Sequence, residues 1–220
     1  MNDKNLISDI LANGIFAVVR MDDNKKLFKV IDVISSSGIK NIEITMTVPN
    51  AVEIIKELIK SGKENIIVGA GTVLSKAEAE KVISAGARFV VSPILDLEII
   101  KICKDKNIPV VPGCYTPTEI LKGWNAGAEI IKIFPAASLG PKYFKNVYAP
   151  LPFIKMMPTG GVTIENVGEW VEAGACAVAI GSDLLNNKLI AEENYSKLAE
   201  RATLCVKNYF EAKDKINLRK

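Results

Sequence analysis

The sequence predicts an α/β protein folded as a parallel (β/α)8, or TIM-type, barrel, and three observations predict it. Short β-branched runs alternate with segments of helical period from one end of the chain to the other. Eight such strand–helix units recur at intervals of roughly 20 to 25 residues, and eight is the number that closes a parallel barrel. Several helical segments stop at a glycine, as in "ISSSG", "KSG", "ISAG" and "WNAG", which is where a residue free to take positive φ ends a helix.

The predicted strands are "IFAVVR" (15–20), "NIEIT" (41–45), "IIVGAG" (66–71), "RFVVSP" (88–93), "PVVPG" (109–113), "EIIKIFP" (129–135), "FIKMMPTGG" (153–161) and "ACAVAIGS" (175–182). Amphipathic stretches such as "AVEIIKELIK" and "KAEAEKVISA" lie between them. Residues 3–13 read as an additional N-terminal helix across the bottom of the barrel. An open doubly wound sheet is the alternative, but it has fewer strands as a rule and leaves two edges to cover. No linker or low-complexity tract divides the chain, so residues 1–220 read as a single domain.

Composition excludes several functions. The 220 residues carry a net charge of +3, too small and too evenly spread for a nucleic-acid footprint. No apolar run approaches the ~18 residues of a membrane span, and "MNDKNLISD" lacks the apolar centre of a signal peptide. The alternating charges of "EAKDKINLRK" read as a solvated tail. Four cysteines, at 103, 114, 176 and 205, form no close pair, which fits free thiols in a reducing cytoplasm. There is no histidine, so the commonest base and metal ligand is missing, and no metal or cofactor is expected. Chemistry here has to use lysine, carboxylates, hydroxyls, thiols or backbone dipoles.

Lys132 stands out because it sits between Ile130, Ile131, Ile133 and Phe134 in a predicted buried strand. Residues 130, 132 and 134 share one face of that strand. If the face points inward, desolvation favours the neutral amine, as an imine-forming lysine needs; alternatively the ammonium pairs with a buried carboxylate. Glu43 is the lone acid inside the strand "NIEIT", whereas Glu129 adjoins a strand start and is expected to face solvent. Glu43 with Lys132 makes either a core ion pair or an amine nucleophile with a proton shuttle beside it.

Barrel sites form at the C-terminal ends of strands. There, "PTGGV" (158–162) and "IGSDLL" (180–185) end the seventh and eighth strands, where barrel loops commonly bind phosphate through backbone N–H groups. Gly160, Gly161 and Gly181 permit close approach of an anion, with Thr159 and Ser182 as hydroxyl donors; the other reading is plain tight turns. "GAGT" (69–72) is not a dinucleotide fingerprint, because Leu74 occupies the third glycine position. Of the four arginines, Arg88 starts a strand, Arg201 lies on the last helix and Arg219 in the tail. Only Arg20 ends a strand, as a candidate for a substrate carboxylate or phosphate or as a rim salt bridge.

"IEITMTVPNA", "VGAGTV", "VSP", "IKIFPA", "PTGGV" and "IGS", in this order, resemble the 2-keto-3-deoxy-6-phosphogluconate (KDPG) / 4-hydroxy-2-oxoglutarate (KHG) aldolases over residues 10 to 210. The resemblance implies a barrel, a homotrimer and a metal-free class I aldolase that acts on a keto-acid substrate and releases pyruvate. It implies that Lys132 forms the Schiff base and that Glu43 is the acid–base group. Thr72 then contacts the pyruvyl part, Phe134 lines the pocket, and Thr159, Gly160, Gly161, Gly181 and Ser182 hold phosphate. Where some members carry a carboxylate-binding arginine, this chain has Thr47, which leaves Arg20 with Thr72 as candidates for that role. Ala149 before Pro150 replaces a glycine seen in many members. Other expectations remain open beside this one: the epimeric phosphogalactonate substrate, a phosphate-binding isomerase or epimerase, and a barrel that binds without turnover.

Overall fold

The computed structural model describes residues 6–63 and 65–218. Helix α1 (Leu6–Asn13) precedes strand β1 (Ile15–Val19), followed by α2 (Asn24–Ser36), β2 (Asn41–Thr45), α3 (Ala51–Lys60), β3 (Ile67–Gly71), α4 (Lys76–Ser84) and β4 (Val90–Val91). The chain continues through α5 (Leu97–Asp105), β5 (Val110–Val111), β6 (Gly113–Cys114), α6 (Pro117–Asn125), β7 (Ile131–Ile133) and α7 (Gly140–Tyr148). It ends with β8 (Met156–Pro158), α8 (Val167–Glu172), β9 (Val178–Ile180), α9 (Asn187–Ala191) and α10 (Tyr195–Asn217).

Local chemistry accounts for the elements. The side chains of Asp23, Ser75, Asp96 and Thr116 accept from backbone N–H groups at the starts of α2, α4, α5 and α6, and Thr116 with Glu119 forms a reciprocal capping box. Helix α3 turns Ala51, Ile54, Ile55 and Leu58 to the core, the spacing of one helical face. The predicted glycine stops hold, since Gly38, Gly62, Gly86 and Gly127 all have positive φ.

All the strand pairs are parallel. One curled sheet runs β5-β4-β3-β2-β1-β9, and a second runs β6-β7-β8. Between β8 and β9 the backbone N–H of Cys176 donates to Met156 O at 3.0 Å, and Thr159 bridges to Ala179. Alternation along the strands produces two cores. Phe16, Ile67, Phe89, Val91, Val111, Ile130, Met157 and Ala179 pack on the concave side with Leu6 and Ile10 of α1. Ile42, Ile44, Val68, Ile131, Ile133 and Val178 pack outward against the helices.

Four expectations need adjustment. The run 109–113 becomes two segments, because Pro112 has no N–H for the ladder and only its carbonyl is used, accepting from Lys132 N at 2.9 Å. The strand expected at 88–93 is regular only at Val90–Val91, although Arg88 N still donates to Val68 O at 2.8 Å and Ser92 N to Val111 O at 3.1 Å. Glu129 is half-buried, and its Oε2 accepts from Val110 N at 3.0 Å. The tail expected to be solvated, 211–220, continues helix α10 to Asn217; its described residues are exposed or half-buried except Ala212, which ends the buried stripe of Leu198, Ala202, Cys205 and Tyr209. Residues 3–5 of the predicted leading helix, and Arg219, lie outside the described residues.

Candidate active site

Glu43 and Lys132 project from β2 and β7, and both are buried, with 1% and 4% exposure. Their strand neighbours Ile42, Ile44, Ile131 and Ile133 face the outer core, so the period of two turns the acid and the amine to the concave side. Register reinforces this: Glu43 lies beside Gly69 of β3, and Lys132 between Gly113 of β6 and Met157 of β8. Gly71, at the end of β3, has no side chain where a Cβ would overlap the Glu43 carboxyl. "GAGT" therefore serves the acid, a role that reading it as a rejected dinucleotide motif did not find.

Burial acts in opposite senses on the two groups. It pushes the Glu43 carboxyl above its usual range, partly offset by Lys132 and then by Arg20. It lowers the Lys132 amine below the 10.5 of an ordinary lysine; Glu43 opposes this shift and Arg20 adds to it. Among the described residues no direct ion pair joins Lys132 to Glu43, and Oε2 of Glu43 is buried without a hydrogen-bond partner. Lys132 Nζ lies over the Phe134 ring, 4.8 Å from its centroid. A poorly solvated amine held near a carboxyl that retains its proton more readily is suited to attack a carbonyl and then lose water.

A 320 Å³ cavity lies at the C-terminal ends of the strands. It collects seven of the predicted residues: Arg20, Phe134, Thr159, Gly160, Gly161, Gly181 and Ser182. Gly160 and Gly161 have φ of 80° and 87°, and a Cβ on Gly160 would meet the Phe134 ring at 3.5 Å. Thr159 is buried, and its Oγ1 has no partner. Arg20 is exposed at the end of β1 and, among the described residues, makes no hydrogen bond or ion pair of its own. Main-chain N–H groups, hydroxyls and one guanidinium in this arrangement suit an anion. Phe134 connects the two parts of the site, since its ring faces Lys132 and also lines the cavity.

Thr47 and Thr72 do not line that cavity. Thr47 is exposed above β2 and shares a 2.8 Å hydrogen bond with Thr45 Oγ1, which itself donates to Val19 O. Thr72 is half-buried beyond β3 with φ of 57°, an uncommon conformation for a threonine. The sequence reading missed Val18, Val162, Ala179, Leu185 and Asn187, which complete the cavity wall. Only Asn187 had a signal, in the "NN" that opens a helix after the eighth strand.

Two larger hollows, of 470 and 730 Å³, lie around Leu6, Ile59 and Arg88 at the opposite ends of the strands, away from Lys132 and Glu43. The four cysteines are free, and burial pushes each thiol up to about 12, so none is poised as a nucleophile. Among the described residues no three His, Cys, Asp or Glu side chains form a group that could hold a metal ion, and no helix is long and apolar enough to cross a membrane.

Comparison with known proteins matches this geometry. The family model "Aldolase: KDPG and KHG aldolase" matches residues 7–201. The 2-dehydro-3-deoxy-6-phosphogalactonate aldolase of Escherichia coli K12 is 32% identical over 183 residues, covering 83% of this chain and 87% of its own. The 2-dehydro-3-deoxy-phosphogluconate aldolase of Haemophilus influenzae is 31% identical over 185 residues, covering 84% and 87%. Among solved structures, KDPG aldolase from Legionella pneumophila, with pyruvate captured at low pH as a covalent carbinolamine intermediate, superposes with a TM-score of 0.83 at 26% identity, covering 92% of this chain and 97% of that one. With the buried lysine, the carboxyl beside it and the glycine-lined cavity in place, this chain belongs to the KDPG and KHG aldolase family.

Proposed function

We propose that the chain is a class I pyruvate aldolase in which Lys132 forms the Schiff base and Glu43 moves the protons. The observation that carries this reading is the electrostatics of the pair. Lys132 is buried with its pKa lowered, and Glu43 is buried with its pKa raised and one oxygen unpartnered. A lysine kept only for a core ion pair would sit in direct contact with its acid.

The substrate is 2-dehydro-3-deoxy-6-phosphogluconate, cleaved to pyruvate and glyceraldehyde 3-phosphate, and/or 4-hydroxy-2-oxoglutarate, cleaved to pyruvate and glyoxylate. Lys132 Nζ attacks the C2 ketone, and Glu43 delivers the proton with which the carbinolamine hydroxyl leaves as water. The protonated imine accepts the electron pair of the C3–C4 bond as that bond breaks, while the C4 hydroxyl gives its proton to Glu43. Glu43 returns that proton to the enamine carbon, and hydrolysis frees pyruvate and Lys132. Thr159, Gly160, Gly161, Gly181 and Ser182 bind the phosphoryl group. Arg20 lines the same cavity and is assigned to the phosphoryl group as well, while Thr72 and Thr47, outside it, are assigned to the carboxylate end, and Phe134 packs between the two. A relative named for the phosphogalactonate epimer, at 32% identity, supports a second reading in which C4 has the opposite configuration.

The same proposal includes a closed eight-stranded barrel with α1 as its additional N-terminal helix. It is supported by the Thr159–Ala179 bridge between the two sheets and by the donation from Asn41 Nδ2 to Ile10 O at 3.0 Å. It includes one domain over residues 1–220, a homotrimer and a reaction without metal. A cytoplasmic location belongs to it as well, supported by four unpaired thiols.

Incubation with pyruvate and sodium borohydride, followed by peptide mass spectrometry, tests the chemistry. Reduced adduct on Lys132, absent from Lys132→Ala, supports the imine; an unlabelled Lys132 in folded protein that binds pyruvate sinks it. Assay of both C4 epimers separates the two substrate readings. Full activity in a chelator and a trimer mass by light scattering test the remaining parts.

A further inference from the structure

The three glycines of the anion cavity come from different loops, Gly160 and Gly161 after β8 and Gly181, followed by Ser182, after β9. Glycines hold no position by side-chain packing, and beyond the Thr159–Ala179 bridge between β8 and β9 the two loops need a further link to fix their separation. Asp183 does this work without lining the cavity. Its Oδ2 accepts from the N–H of Ile164, in the loop after β8, at 2.9 Å. The same oxygen lies 3.3 Å from Nη2 of Arg201 on α10, and that Nη2 also donates to the main-chain carbonyl of Asp183 at 2.6 Å. One guanidinium thus grips the backbone and the side chain of one residue.

The brace continues to the glycines. Asn208, also on α10, donates to Ile164 O at 2.9 Å, so that peptide is held at its N–H and at its carbonyl. Asn166 Nδ2 donates to Gly161 O at 2.8 Å, and Asn166 Oδ1 accepts from Thr163 N at 2.8 Å. Charge matters as well as geometry. A carboxylate one residue from Ser182 opposes an incoming anion, and Arg201 offsets it.

We infer that Asp183, oriented by Arg201, is a positioning residue that holds the two halves of the cavity at the separation a phosphoryl group requires. This rests on reading the cavity as the phosphate end of the aldolase site. Asp183 and Arg201 act on phosphate affinity and leave the bond-breaking step alone, because Lys132 and Glu43 stand on other strands.

The test compares wild type, Asp183→Ala, Asp183→Asn and Arg201→Gln on the phosphorylated substrate and on unphosphorylated 4-hydroxy-2-oxoglutarate. Inorganic phosphate serves as competitor, and pyruvate–borohydride labelling of Lys132 as the check on the other end of the site. Asp183→Ala and Arg201→Gln are expected to raise KM for the phosphorylated substrate about tenfold with kcat within about twofold. The short substrate should show no change. Asp183→Asn retains an acceptor for Ile164 and should recover most of the affinity, while Arg201→Gln leaves the carboxylate uncompensated and should weaken phosphate competition most. An unchanged KM in variants that fold and label normally overturns the inference, as does a parallel loss on both substrates, which marks a general structural brace. If Asp183→Ala does not fold, the Asn and Gln variants decide. If phosphate fails to compete in wild type itself, the phosphate reading of the cavity falls and this inference falls with it, a result visible before any variant is made.

Discussion

Gly71 leaves the space that the Glu43 carboxyl occupies: a Cβ at the end of β3 would overlap the acid projecting from β2. Glu43 is paired with Gly69 and Thr45, two residues further on, with Gly71, so the carboxyl reaches along the sheet over a second position that has no side chain. The acid near Lys132 is thus placed by an absent atom on the adjacent strand.

Gly71→Ala is expected to lower kcat about 100-fold by displacing that carboxyl, with an overpacking cost of about 1–3 kcal/mol. Steady-state kinetics beside thermal unfolding checks both. A variant with normal kcat would show that the Glu43 position is not needed.

Pyruvate labelling of Lys132 follows the neutral amine, so its yield rises with pH through the lysine pKa. Burial lowers that pKa, and half-maximal labelling is expected below 10.5. Glu43 raises the Lys132 pKa, so Glu43→Gln moves the midpoint to lower pH while turnover falls about 10²–10⁴-fold. A pH series of borohydride trapping on both proteins reads the shift, and a midpoint that moves upward contradicts the coupling.

Lys132→Met removes the cation that holds the Glu43 pKa down, so that pKa rises further. An acid whose folded pKa is raised contributes stability that is complete below its unfolded value, about 4.3, and is lost as pH rises through the folded value. Wild type loses stability in the same way up to its own raised Glu43 pKa, so the extra loss in Lys132→Met should appear only above that folded value, with a slope approaching about 1.4 kcal/mol per unit relative to wild type until the variant's higher pKa is passed. Denaturant titration at several pH values measures the slope, which adding Glu43→Gln should abolish.

Phe16 and Phe89 meet edge to face at 5.1 Å on the concave side of the sheet, both fully buried, over the bare backbone of Gly69. Phe89→Ala is expected to cost about 3–5 kcal/mol, measured by denaturant unfolding. A loss under about 1 kcal/mol would mean that this core collapses around the gap.

Much of the site was legible because its signals are local. A lysine or a glutamate in a run of isoleucines contradicts its surroundings in the primary structure, and a period of two places it on one face. Arg20, Thr159, Gly160, Gly161, Gly181 and Ser182 were legible because the ends of parallel strands form one rim, Phe134 was assigned to the pocket by resemblance, and all seven share one cavity. Thr47 and Thr72 were assigned by resemblance, and they lie outside that cavity. The cavity's apolar wall and the Asp183–Arg201 link had no local signature. Val18, Val162 and Leu185 read as ordinary core, and residues 183 and 201 come together only when α10 packs back across the loops.

By itself, the sequence determined the order of strands and helices, the inward lysine and acid, and the absence of imidazole chemistry. Those depend on residue type and on periods of 2 and 3.6, which the chain carries within a few residues. Tertiary structure decided that Pro112 splits a strand, that the C-terminal residues form a packed helix, that Gly71 makes way for Glu43, and that α10 sets the spacing of the anion loops. Each of these depends on the distance between residues far apart in the chain, and that distance exists only once the sheets and helices have packed.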